Sequence, residues 1–91
     1  MEDHMATRSE QLADAYIAVA IAHHYMVGIV EPVTDEERDA AEQILITKQN
    51  ALNPQHGLAY ARFELALALI EYDRKRALYR RSKARIVPEN E

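Results

Sequence analysis

Two histidines stand side by side at positions 23 and 24 in a chain that has four histidines and no cysteine. Adjacent residues of an α-helix point about 100° apart, so His23 and His24 cannot bind one metal ion as histidines four residues apart can. We therefore predict no metal and no cofactor. Because histidine titrates between pH 5 and 8, His23 and His24 are instead candidates for a pH-sensitive interface.

The residues needed for covalent or nucleotide chemistry are sparse. The only serines are Ser9 and Ser82, and neither lies in a strand-turn-helix segment of the kind that exposes a nucleophile. The absence of cysteine excludes thiolate catalysis, and the two glycines, Gly28 and Gly57, cannot form a glycine-rich phosphate loop. We expect that the protein is not an enzyme.

Basic residues are concentrated near the C-terminus, where residues 74–85 contain seven of the eleven Lys and Arg residues. Arginine binds carboxylate and phosphate groups equally well, so this basic segment is a candidate site for an acidic protein surface, a small anion or nucleic acid. Nucleic acid is the weaker alternative because the chain carries a net charge of −4 and Tyr79 is the only aromatic residue among these cations. The candidate residues are Arg74, Arg76, Arg80, Arg81, Lys83 and Arg85.

These residues are expected to lie on helices, because alanine, leucine, glutamate and arginine fill the intervals between the few glycines and prolines. We predict a single helical domain over residues 1–91, with helices at about 6–27, 34–52 and 54–86 and short flexible termini. The first helix is predicted to begin at Ala6 or Ser9, and the third at Pro54 or Leu58. Thr34 and Glu37 form a capping-box pattern at the second helix, and its acidic opening, residues 35–39, is predicted to lie level with residues 70–74. Asn53 followed by Pro54 is typical of a helix start, and Gly28 is a candidate C-terminal cap of the first helix.

The predicted third helix carries an apolar residue at every seventh position, which forms one continuous line along its length. Its first half has a second apolar face, so that it is apolar nearly all round and is expected to be covered by other helices of the chain or by a partner. A helix of 29 residues is about 44 Å long, whereas a 91-residue globule is only about 31 Å across. The line of apolar residues at every seventh position is our candidate self-association surface, and its residues are Leu58, Leu65, Tyr72, Tyr79 and Ile86.

Residues 52–88 are similar in length and in several positions to one tetratricopeptide unit, with Asn53 and Pro54 at the opening and Tyr60 and Phe63 in its first helix. The pattern fails at Arg76, Arg80 and Lys83, which stand where that repeat has small or aromatic packing residues. A single copy also falls short of the three repeats that a stable stack needs. No function is therefore transferred from this resemblance.

Together these observations predict an all-α protein, either a three-helix bundle or a helical hairpin with a long C-terminal helix, that forms a homo-oligomer. No apolar stretch is long enough to suggest a membrane span, and we expect a cytoplasmic protein. The expected function is protein-protein interaction by shape and charge complementarity, as in small accessory or inhibitor proteins of bacteria and phages. The alternative is nucleic-acid or small-anion binding by the Arg-rich end of the last helix.

Overall fold

A computed structural model describes residues 6–22, 29 and 31–86 of the chain, with side chains as far as residue 82. It contains three α-helices, α1 (Arg8–Ala22), α2 (Asp35–Asn50) and α3 (Leu58–Ile86), and no strand among the described residues. The predicted all-α class is therefore confirmed. The predicted extension of the first helix to residue 27 and its cap at Gly28 lie outside the described residues.

The capping box predicted at Thr34 is present at the start of α2. The Thr34 hydroxyl accepts a hydrogen bond from the Glu37 amide at 3.1 Å, and the Glu37 carboxylate accepts one from the Thr34 amide at 3.0 Å. The helix ends at Asn50, two residues before the predicted position. It ends there in a turn, in which the Leu52 amide donates to the Gln49 carbonyl at 3.0 Å.

Helix α3 begins at Leu58 and not at Pro54, because a separate 3₁₀ turn, Pro54–His56, precedes it. Asn53 caps this turn: its side chain accepts from the Gln55 amide, and its own amide donates to the His56 ring nitrogen at 3.0 Å. Gly57 then adopts a φ of 64°, a left-handed conformation that favours glycine and interrupts the helical path. Gly57 is thus the residue that separates the turn from the long helix.

The core lies where the three helices meet, and each helix contacts the other two. Its largest fully buried side chains are Leu12 and Tyr16 of α1, Leu45 of α2 and Ile70 of α3. Small residues complete the core and let the helices approach closely. They are Ala13, Ala41 and Ala66.

Polar side chains connect α1 to the other elements. The Tyr16 hydroxyl donates a 2.7 Å hydrogen bond to the Asp73 carboxylate of α3. Burial and this hydrogen bond raise the pKa of Tyr16 above its ordinary value, so the hydroxyl keeps its proton and remains a donor. Arg8 lies 2.8 Å from the Glu31 carboxylate and 3.2 Å from that of Glu37, which fixes the start of α1 against the start of α2.

Replacement of Tyr16 by phenylalanine tests the link between α1 and α3. The ring still fills the core, but Asp73 loses its hydroxyl donor, and hydrogen bonds to charged groups contribute about 1.5–3 kcal/mol. We expect Tyr16→Phe to lower the free energy of unfolding by at least about 1 kcal/mol in urea titrations, whereas Tyr72→Phe, at an exposed position, leaves it unchanged. Equal stability of the two variants would contradict this role for Tyr16.

Replacement of Thr34 by alanine tests the capping box. The Glu37 amide then loses its acceptor, and loss of such a cap costs about 1 kcal/mol of folding stability. Thr47→Ala, at an exposed position within α2, is the matched control and should be neutral or slightly stabilising because alanine has the higher helix propensity. Thermal unfolding followed by circular dichroism measures both changes.

Candidate functional site

The predicted self-association line lies on the side of α3 that faces away from the core. Ile70, which is fully buried, lies about 140° around the helix from Leu65. Helices α1 and α2 pack against the side that Ile70 and Ala66 occupy. We call the outward line the α3 seam, defined by Leu58, Leu65, Tyr72 and Tyr79; the side chain of Ile86, the next residue in the series, lies outside the described part.

The α3 seam is apolar and open to solvent. The exposed fractions are 68% for Leu58, 44% for Leu65, 58% for Tyr72 and 64% for Tyr79. Ala61 and Ala68, which are also exposed, lie between them and extend the apolar strip. Its ends are about 31 Å apart at the rise of an α-helix. The largest apolar patch on a soluble protein is often a functional surface, so the seam is a candidate interaction site.

Arg76 lies beside the seam and contacts Tyr72. The Arg76 guanidinium stands 5.6 Å from the centre of the Tyr72 ring and 3.8 Å from the Asp73 carboxylate. A cation over a ring face is attracted to it by about 0.5–1 kcal/mol at an exposed site. Most of the Tyr72 surface stays exposed beside this contact.

Much of the Arg-rich segment is paired within the fold. Arg74 donates to the carboxylates of Asp39 and, at 2.8 Å, Glu42, both on α2. This agrees with the predicted antiparallel alignment of the acidic start of α2 with α3. The hydrogen bond to Glu42 is the main reason that the pKa of Arg74 is raised, so the guanidinium remains charged.

The remaining basic candidates differ in their surroundings. Arg81 lies 3.9 Å from Asp35, which extends the pairing with α2 further along α3 than residues 70–74. Arg80 is exposed and has no ion-pair partner among the described residues. The side chains of Lys83 and Arg85 lie outside the described part of the chain.

A groove of about 410 Å³ lies between the start of α2 and the C-terminal half of α3, and Arg38, Arg80 and Arg81 are among its lining residues. Asp35 also lines this groove, 2.8 Å from Arg38. A carboxylate between the arginines neutralises part of their charge, which weakens the groove as an anion site. Arg38 itself is nine-tenths buried, and sequence patterns did not identify it because it precedes the apolar stripe of α2.

The remaining expectations from the sequence concern the two adjacent histidines, metal binding and membrane spans. His23 and His24 fall outside the described residues. Among residues 6–22, 29 and 31–86 there is no cluster of three or more His, Asp or Glu side chains that could hold a metal ion. None of the helices described has both the length and the apolar character needed to cross a bilayer.

Comparisons of the chain with protein-family models, with curated proteins and with solved structures find no match. The structure also removes the resemblance to a tetratricopeptide unit, because that unit is a helix-turn-helix whereas α3 is one uninterrupted helix of 29 residues. The α3 seam and the paired arginines are therefore the observations on which a function can be argued.

Replacement of Arg74 by glutamine tests whether the basic segment serves the fold. Asp39 and Glu42 then lose their shared cation, and we expect the free energy of unfolding to fall by roughly 1 kcal/mol at low salt, with a smaller loss in 1 M NaCl. Arg80→Gln is the matched control and should change stability by less than about 0.5 kcal/mol. Equal effects of the two substitutions in urea titrations would contradict a structural role for Arg74.

Proposed function

We propose that this chain is a non-enzymatic protein-interaction protein that binds its partner through the α3 seam. The observation that carries this proposal is an apolar strip that extends along the longest helix on the side opposite the core. Leu58 and Tyr79, at its two ends, are 68% and 64% exposed. Burial of such side chains against a partner is favourable by about 25 cal/mol per Å² of apolar surface.

The geometry of the seam also favours a helical partner. A line of large residues at seven-residue steps, with Ala61 and Ala68 between them, presents ridges into which another helix can pack closely. Glu64 and Lys75 flank the strip with opposite charges, and both are exposed. Such flanking charges select a partner and its orientation more than they add affinity.

Binding of nucleic acid or a small anion by the Arg-rich end is the second candidate. Arg80 and Lys75, which are exposed and have no ion-pair partner among the described residues, support it. Its weakness is that Arg74, Arg76 and Arg81 each lie within 4 Å of a carboxylate. Fluorescence anisotropy with labelled duplex DNA would distinguish this candidate, because phosphate contacts give an affinity that falls steeply with salt and is lost on Arg80→Glu.

The α3 seam is tested by a double substitution, Leu65→Asp with Tyr72→Asp, compared with Leu78→Asp. Leu78 is 59% exposed on the same helix but lies about 100° around it from Tyr79, so it controls for an added charge beside the seam. We expect all three proteins to fold, because none of the three positions belongs to the buried core. Circular dichroism melts establish this before any binding experiment.

The three proteins are then given different tags and expressed in the cell from which the chain derives. Each is cross-linked and purified, and the proteins attached to it are quantified by mass spectrometry. We expect the wild type and Leu78→Asp to retain at least one attached protein, either a different protein or a differently tagged copy of this chain, in about tenfold or greater excess over the double variant. The reason is that each of the two charges buried in the double variant costs several kcal/mol. A set of attached proteins that is unchanged by the double substitution would overturn the proposal.

A further inference from the structure

We infer that the α3 seam is covered by a second copy of this chain, packed antiparallel so that Leu65 faces the partner's Tyr72. This inference rests on the proposed function, because it names the partner of the same surface. It is argued from the register of the seam, from the charges beside it and from the area that the fold leaves open.

The four large seam residues are evenly spaced about the middle of the seam. Its midpoint lies between Ala68 and Leu69, and a twofold axis there places Leu58 opposite the partner's Tyr79 and Leu65 opposite the partner's Tyr72. Each layer then combines a leucine with a tyrosine. The exposed Ala68 lies at the axis, where a small residue lets two helices approach closely.

The charges beside the seam distinguish the two orientations. In a parallel pair Lys75, which occupies the same repeat position as Ala61 and Ala68, would face the partner's Lys75. Like charges at such a position are destabilising. In the antiparallel pair Lys75 instead lies within one turn of the partner's Glu64, an exposed residue whose carboxylate also accepts a 2.8 Å hydrogen bond from Gln49 of its own α2. On the other flank Arg62 lies near both Asp73 and Arg76 of the partner, which pair with each other at 3.8 Å, so that flank favours neither orientation.

The area left open by the fold is that of a small dimer interface. The four large seam residues and the two alanines present roughly 400 Å² of apolar surface per copy. The seams of two copies together bury about 800 Å² of apolar surface, less than the roughly 1,200 Å² at which specific interfaces begin, so the dimer is expected to be weak and to form reversibly.

Sedimentation equilibrium on the full chain, over concentrations from roughly 1 µM to roughly 1 mM, tests the partner. We expect the wild-type mass to rise from 10.4 kDa toward twice that value, and Leu78→Asp to follow it. Leu65→Asp should remain a folded monomer throughout. A wild type that stays monomeric, or a dimer that Leu65→Asp leaves intact, overturns the inference.

Single cysteines test the orientation, since the natural chain has none. Copies of Ala68→Cys meet at the twofold axis and should form a disulfide with each other on mild oxidation. In the antiparallel pair the cysteines of two Leu58→Cys copies lie about 31 Å apart and should not form a disulfide. A mixture of Leu58→Cys with Tyr79→Cys should form one. Efficient self-cross-linking of Leu58→Cys would show a parallel pair and overturn the inference.

The two proposals fail in different ways. A monomeric wild type that still captures a different protein through Leu65 and Tyr72 overturns the second-copy inference and leaves the proposed function standing. A monomeric wild type whose captured proteins are unchanged by the seam substitutions overturns both. A dimer with the expected cross-links supports both.

Discussion

The length of α3 determines which surfaces of this protein can be buried. At 29 residues it is nearly twice as long as α1, with 15, and α2, with 16. Two short helices packed on the same side of a long one cover about half of its circumference, and the rest faces water. The core therefore forms around Ile70 and Ala66, while Leu65 and Tyr72 on the other side remain exposed. No rearrangement of α1 and α2 on that one side would bury both faces.

Polar interactions at the middle of α3 help to keep α1 and α2 on that side. Tyr16 and Asp73 join α1 to the middle of α3, and Arg74, the next residue, joins α3 to Asp39 and Glu42 of α2. Because Asp73 and Arg74 are adjacent, a single turn of α3 sets the position of both short helices. The start of the basic segment thus has a structural role, which reduces the share of its charge that a ligand could use.

Local signals in the sequence were enough to predict the helical class, the capping box at Thr34 and the alignment that pairs Arg74 with α2. They did not determine which apolar face of α3 turns inward, because Phe63 and Ile70 on one side and Leu58 and Leu65 on the other are equally hydrophobic. That choice depends on tertiary packing against α1 and α2. The start of α3 was ambiguous for a different reason, since Asn53 caps whichever helix follows it and only the backbone conformation of Gly57 separates the turn from α3.

The composition of the α3 seam changes along its length in a way that suits reversible burial. The half of the seam nearer the start of α3 consists of the leucines Leu58 and Leu65, and the other half consists of the tyrosines Tyr72 and Tyr79. A tyrosine ring supplies a large apolar contact while its hydroxyl tolerates water, so it costs less to expose than a leucine of equal area. The charges of Glu64 and Lys75 beside the strip oppose nonspecific stacking in other registers. If the seam is covered by a second helix, as we propose, its tyrosine half is the part whose exposure in the free chain costs least.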